Sequence, residues 1–230
     1  MNAHFIRKEQ VADSIWAFWF KPEEKLSYQA GQAIDMYLDH ENPDDRGTKR
    51  WMTLSSSPSE SLIAITTKIS TRSSSFKHTL QHLSVGARIQ LGQPVGAFVL
   101  PKQANKPLVC IAAGVGIAPM RSMVQSAKDA GEQREIYLFY TAPRTADFAY
   151  RSLFSNYCSL VKLYPTREPS TSEKCSATAI ITHLDQAVSE KGLFYIAGPE
   201  EFVIDMTNQL IVEGIKQRTI ITDPYHGYET

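Results

Sequence analysis

The sequence has few cysteines, no surplus of charge and no long apolar run, and each shortage removes a class of protein. Its three cysteines, Cys110, Cys158 and Cys175, stand too far apart for a disulfide framework. They also lack the close spacing of a zinc or iron–sulfur site, so no metal is expected. Twenty-four Lys and Arg are balanced by 24 Asp and Glu. Neither half is polarised: 11 basic residues face 10 acidic ones up to residue 100, and 13 face 14 beyond it. A strongly basic nucleic-acid binder is therefore not expected. The longest unbroken apolar run, Leu108 to Met120, holds 13 residues, two glycines and a proline among them, too short for a bilayer. No basic start with an apolar stretch behind it marks a signal peptide. The expectation is a soluble, cytoplasmic protein with no membrane or nucleic-acid partner. Oligomeric state has no signature here.

What is present is globular in bulk. With 230 residues, 43% apolar and 21% charged, the chain suits one large domain or two of moderate size. Its texture changes near Pro101. Before it, Trp16, Phe18 and Phe20 alternate with Ala17 and Trp19 as in a half-buried strand. Leu62 to Ile69 is rich in Ile and Thr, and Asn42 to Gly47 is a turn cluster. Phe76 to Leu83 reads as a short helix capped by Ser75. Arg88 to Leu91 reads as a strand, after which Gly92, Pro94 and Gly96 are expected to force irregular backbone. This predicts a small antiparallel β-barrel with one helix over residues 1–101. Residues 102–230 predict an α/β domain with a parallel sheet, because strand-like Leu108–Ala112, 135–140 and 193–197 alternate with helical patterns such as Met120, Met123, Val124 and Ala127.

Four stretches have the chemistry of a site. Gly114-Val-Gly116-Ile-Ala-Pro119 lies between a strand and a helix, where small residues and free N–H groups suit a phosphate. It is not the three-glycine dinucleotide fingerprint, since Pro119 takes the third position. A plain tight turn fits it about as well. Arg50-Trp51-Met52-Thr53 offers a guanidinium fork and, on the opposite strand face, a hydroxyl. Alone it reads as a solvated strand. Thr66-Thr67-Lys68 is followed by Ser73 to Lys77, which alone reads as an ordinary helix cap. Gly198-Pro199 closes a later strand, where α/β sheets bind ligands. His78 and His82 lie four apart but lack the intervening Glu of a zinc helix, and Cys110 in an apolar strand is expected to be inert.

The order of these pieces is more specific than any one of them. Arg50-x-x-Thr53, Ser74-Ser75-Phe76, Gly92-x-Pro94-x-Gly96-x-Phe98, Gly114-x-Gly116-x-x-Pro119, Tyr140-Thr141-Ala142, Gly198-Pro199 and the terminal Asp223-Pro-Tyr225 together resemble the ferredoxin–NADP reductase superfamily. The resemblance spans nearly the whole chain. It implies an FAD-binding barrel followed by a domain binding NADPH or NADH, and hydride transfer to flavin N5. Electrons would then pass to a separate acceptor, a ferredoxin-like or flavodoxin-like protein or a small molecule.

The same resemblance implies residue roles. Arg50 would bind the FAD pyrophosphate, with Ser74, Ser75 and Phe76 presenting helix amides to it. Trp51, Met52, Thr67 and Lys68 would line the flavin, and Thr53 would sit at N5. Gly114, Gly116 and Pro119 would form the nicotinamide-nucleotide loop. Thr141, Arg144, Thr166 and Arg167 would lie near the adenosine ribose, with Gly198 and Pro199 beside the nicotinamide. Asp223 and Tyr225 would complete the catalytic set with Thr53. The stretch 166–168 is similar to the phosphate-binding segment of NADP-using relatives, which tilts the expectation to NADPH. Met52 departs from the Tyr or Phe of many relatives, and Ala197 from their Cys. Two other readings stay open: a flavin or ferric reductase using diffusible flavin, and a non-catalytic module on the same scaffold.

Overall fold

In the first half, alternation of apolar side chains along short segments gives six antiparallel strands. A computed structural model describes residues 1–157, 161–167 and 175–225. The strands are β1 (Asn2–Ala12), β2 (Ile15–Pro22), β3 (Ala33–Tyr37), β4 (Lys49–Thr53), β5 (Ile63–Lys68) and β6 (Arg88–Val95), in the order β4-β3-β6-β1-β2-β5. The outermost strands approach each other through an antiparallel bridge between Leu54 and Ile65, which curls the sheet into a barrel. Inside lie Phe5, Phe18, Phe20, Ile34 and Ile65, with Phe5 and Phe20 in tilted ring contact at 5.6 Å. Helix α1 (Ser75–Gln81) drives Phe76 and Leu80 into the same core. Each such side chain contributes about 1.5–3 kcal/mol by leaving water.

Three local expectations are corrected. Strand β2 is covered on both faces, because Ala17 and Trp19 pack on Ala64 beneath Tyr150 of the second half. Strand β6 does not stop at Leu91. It continues through Gly92 and Pro94 to Val95, and the expected irregularity is a bulge in β6, where Leu91 to Pro94 takes three steps against two from Met36 to Ile34 on β3. The cap of α1 is Ser74, whose hydroxyl accepts from Lys77 N at 3.3 Å. The Ser75 hydroxyl instead accepts from Asp44 N at 3.0 Å and contacts His40 Nε2 at 3.0 Å.

In the second half the central strands are buried and those at the sheet edges are only partly covered. The elements are β7 (Leu108–Ala113), α2 (Ile117–Asp129), β8 (Ile136–Ala142), α3 (Arg151–Asn156), β9 (Val161–Arg167), α4 (Ala177–Thr182), α5 (Gln186–Lys191), β10 (Leu193–Pro199), α6 (Glu200–Val212) and β11 (Ile220–Tyr225). All neighbours in the sheet β11-β10-β7-β8-β9 are parallel. Every residue of β7 is buried, as a parallel strand with helices on both faces requires. Cys110, Leu138 and Tyr140 face α2, while Val109, Ile111 and Phe139 face α4 and α6. The chain leaves β7 toward β8 on one side and returns to it through β10 on the other. That reversal opens a crevice at the carboxyl ends of β7 and β10. The division expected at residues 101 and 102 falls in the connection between Val95 and Leu108. No described helix is long and apolar enough to cross a membrane.

Candidate functional site

The crevice is built by backbone. After β7 the chain makes a 3₁₀ turn, Gly114–Gly116, and enters α2 with Pro119 in its first turn. The two glycines serve different ends. Gly114 has φ +53° and open space where a Cβ would stand. Gly116 is required by packing, since a Cβ there would lie 2.1 Å from the carbonyl oxygen of Ala197. The turn therefore seats directly on the end of β10, beside Gly198 and Pro199. No side chain caps α2; the Ile117 N–H is met by the Gly114 and Val115 carbonyls, so the 3₁₀ turn itself leads the helix.

Beside this turn two hydroxyls lack partners. Ala113 pairs with Thr141 across β7 and β8, and Thr141 pairs with Thr166 across β8 and β9. The Oγ1 atoms of Thr141 and Thr166 are buried without a hydrogen bond. Leaving such a group unpaired costs about 1–3 kcal/mol, so these atoms suit a ligand that would complete them. Arg144 is engaged elsewhere. Its guanidinium donates to Asp147 at 2.8 and 3.0 Å and to Asp13 at 2.5 Å, and these carboxylates hold its pKa above the usual range. It thus ties the β1–β2 turn of the barrel to the second half. The side chain of Arg167 lies outside the described residues, as do Cys158, Glu168 and residues 226–228.

The barrel meets the crevice at Thr53. Strand β11 runs beside β10, placing Asp223 opposite Ala197 and Tyr225 opposite Pro199. Thr53, at the end of β4, donates its hydroxyl proton to Tyr225 Oη at 3.5 Å, joining residues 172 apart in sequence. Burial pushes Asp223 up to about 6, against a hydrogen bond from Tyr225 that favours its ionised form. Burial and the neighbouring Asp223 charge raise Tyr225 well above the ordinary tyrosine value. On β4 the Arg50 and Met52 side chains point inward, and Met52 is packed in the barrel core. Trp51 is 57% exposed on the other face. Thr67 is buried on β5, and Lys68 is exposed.

A cluster of cations lies at the far end of β4. Arg50 is 6% exposed, with its guanidinium against the Phe76 ring at 5.1 Å. It donates to the carbonyls of Arg46, Gly47 and Lys49 and to Asp44 at 2.7 Å, while its Nε has no partner. Partial burial opposes ionisation of Asp44, yet hydrogen bonds from Arg46 and Arg50 hold it down to about 2. Lys77 donates to the Lys68 carbonyl at 3.1 Å. Its pKa is pushed down to about 8, first by burial and then by Arg46, Lys68 and Arg50. Four cations thus stand against two acids, Asp44 and the exposed Asp45 at 3.9 Å from Arg46, a surplus of positive charge that suits a polyanion. Lys77, Asp44 and Arg46 carry no motif, so the sequence does not single them out. Only the sparing of acidic residues between Lys68 and Lys77 hints at the patch.

The structure thus assembles Thr53 with Asp223 and Tyr225, Gly114 and Gly116 with Gly198, Thr141 with Thr166, and Arg50 with Phe76 and Lys68. Trp51 and Arg144 stand apart from these groups. A cavity of about 600 Å³, lined by Pro107, Glu135, Lys191 and Thr219, opens at the amino ends of the strands, away from the crevice. Among the described residues no group of three His, Cys, Asp or Glu could hold a metal. His82 Nδ1 instead lies 2.7 Å from the His78 carbonyl.

Comparison with known proteins agrees with this layout. Residues 110–208 match the oxidoreductase NAD-binding domain family. The flavohemoprotein of Pseudomonas putida is 27% identical over 93% of this chain, and the chain spans 56% of that relative. A solved Flavohem-like FAD/NAD binding domain of nitric oxide dioxygenase from Vibrio cholerae superposes with a TM-score of 0.81 at 20% identity, covering 98% of both chains. Ferredoxin-NADP+ reductase from Plasmodium falciparum with 2'P-AMP gives 0.80 at 16% identity, covering 97% of this chain and 95% of that one.

Proposed function

We propose that the chain is an FAD-dependent NAD(P)H oxidoreductase of the ferredoxin–NADP reductase superfamily, a reading supported by its NAD-binding family match and by the fold of both halves. The observation that carries this reading is the Thr53–Tyr225 contact, which brings the barrel to the carboxyl-end crevice of the parallel sheet. When bound, FAD would supply the redox chemistry, taking two electrons as a hydride from the reduced nicotinamide and releasing them one at a time.

The protein's part is position and electrostatics. Arg50, with Lys77 beside it, would hold the FAD diphosphate, the unpaired Arg50 Nε and the surplus of cations being the features that fit it. Ser74, Ser75 and Phe76 would border it, and Thr67 and Lys68 would line the ring system. Thr53 would place its hydroxyl at N5. Tyr225 would cover the position where the nicotinamide must stack, held there by Thr53 until the nucleotide arrives. Asp223, its carboxyl pushed up to about 6, would hold a proton close to that stack on the acid side of that value and a charge above it. Gly114, Gly116 and the first turn of α2 would receive the nucleotide diphosphate, and the orphan hydroxyls of Thr141 and Thr166 would take the adenosine ribose. The acceptor would be a separate one-electron carrier, ferredoxin-like, flavodoxin-like or small.

A second reading keeps the reaction but makes flavin a diffusible substrate. It draws on the Arg50–Asp44 pair, with which any diphosphate must compete. Gel filtration after FAD loading separates the two. Retained yellow colour supports the bound cofactor, colour lost on the column with NAD(P)H:flavin turnover supports the second reading, and neither colour nor turnover refutes both.

A further inference from the structure

Among the contacts that join the two halves, one is a buried guanidinium. Arg121, in the second turn of α2, is 6% exposed. It donates to Ser55 O at 3.0 Å and forms a fork on Glu60, with one arm at 2.8 Å. Its neighbour Ser122 donates to Ser56 O at 2.5 Å and accepts from Gly31 N at 3.3 Å. Glu60 in turn accepts from Ser57 N at 2.7 Å. Ser55, Ser56 and Ser57 are completely buried under this contact. The guanidinium also lies 5.3 Å from the Trp19 ring and 5.9 Å from that of Tyr150. Tyr150 itself holds a left-handed backbone, φ 59°, and reaches Thr66 of the barrel at 2.5 Å.

Sequence position gives this clamp its meaning. Ser55 follows Thr53 by two residues, and Arg121 follows Gly116 by five on one rigid helix. The distance from Thr53 to the nucleotide turn is therefore set through Ser55, Arg121 and α2. We propose that Arg121 is a positioning residue for hydride transfer, fixing the flavin edge at Thr53 against the nicotinamide held by the Gly114–Gly116 turn. The proposal rests on the oxidoreductase reading above. It acts on geometry, so it changes the rate of one step and not the affinity of either cofactor. Glu60 is its partner, because without that carboxylate the fork has only Ser55 O.

The test compares FAD-loaded wild type with Arg121→Met, Arg121→Lys and Glu60→Gln. It measures FAD affinity, NAD(P)H affinity, single-turnover flavin reduction, and the long-wavelength charge-transfer absorbance on adding oxidised nucleotide. Arg121→Met is expected to slow reduction about 10–100-fold and weaken the charge-transfer band, with both affinities within about threefold of wild type. Arg121→Lys, which keeps the charge but not the fork, is expected to recover part of the rate. If Arg121→Met does not fold, Glu60→Gln decides, since it preserves shape and removes only charge; it is expected to show the same split, with a smaller loss. Reduction at the wild-type rate, or a loss lying wholly in either affinity, overturns the clamp while leaving the oxidoreductase reading intact. Wild type that takes up no FAD overturns that reading, and the clamp with it.

Discussion

The two halves of this chain prepare for negatively charged ligands in opposite ways. The parallel-sheet half uses backbone: a glycine turn seated on β10, a helix start with no side-chain cap and two orphan hydroxyls. Arg144, in the loop after β8, is already committed to Asp13 and Asp147. The barrel half uses side-chain charge, with Arg46, Arg50, Lys68 and Lys77 around Asp44. A backbone site depends on shape and is nearly indifferent to pH. A charge cluster tolerates changes of shape but responds to salt and to titration.

That contrast is breakable. The largest effect is expected from Gly116→Ala, whose Cβ has nowhere to go against Ala197 O. It is predicted to destabilise the chain by about 2–3 kcal/mol and abolish NAD(P)H binding while sparing FAD titration. Calorimetry and two separate ligand titrations check it. Arg50→Met is predicted to do the reverse, weakening FAD roughly 10–100-fold with nucleotide binding unchanged, the cost of losing a charged hydrogen bond to phosphate.

Titration sharpens the comparison further. Lys77 loses its charge around pH 8, so FAD affinity is predicted to fall by about tenfold between neutral and alkaline pH. Lys77→Met should flatten that slope, and NAD(P)H affinity should show no such slope in either protein. The smallest effect concerns Asp223, whose folded pKa is raised to about 6. Below the unfolded value both states are protonated and the group contributes nothing. As pH rises through the folded value, ionising it in place costs stability. Asp223→Asn is therefore predicted to raise stability above pH 6 by about 1–2 kcal/mol, and to leave it unchanged in acid. Denaturant melts at several pH values test the sign.

Much of the fold was legible because its signals are local. Glycine turns, the uninterrupted apolar β7 and the helical spacing of Met120, Met123 and Val124 identify a parallel sheet without any distant contact. The short helices α3, α4 and α5 span about two turns each, too little for a periodic pattern to emerge. The double burial of β2 was hidden because its cover, Tyr150, comes from the other half. The same divide runs through the site. Gly114, Gly116 and Thr53 stand out through the order of motifs, and Tyr225 through its place at the end. Lys77 and Arg121 do not, because a basic residue on a helix ordinarily faces solvent. What distinguishes them is how few acids surround the first and which carbonyl the second reaches, and both are properties of the folded chain.

In the proposed reaction the barrel and the sheet meet at Thr53 and Tyr225 to carry hydride from nicotinamide to flavin. Anaerobic addition of NADPH or NADH to the FAD-equilibrated chain tests it most directly. Rapid bleaching of the visible flavin absorbance, slowed in Thr53→Val without loss of FAD, is the predicted result. Flavin absorbance that persists with both nucleotides would contradict the account.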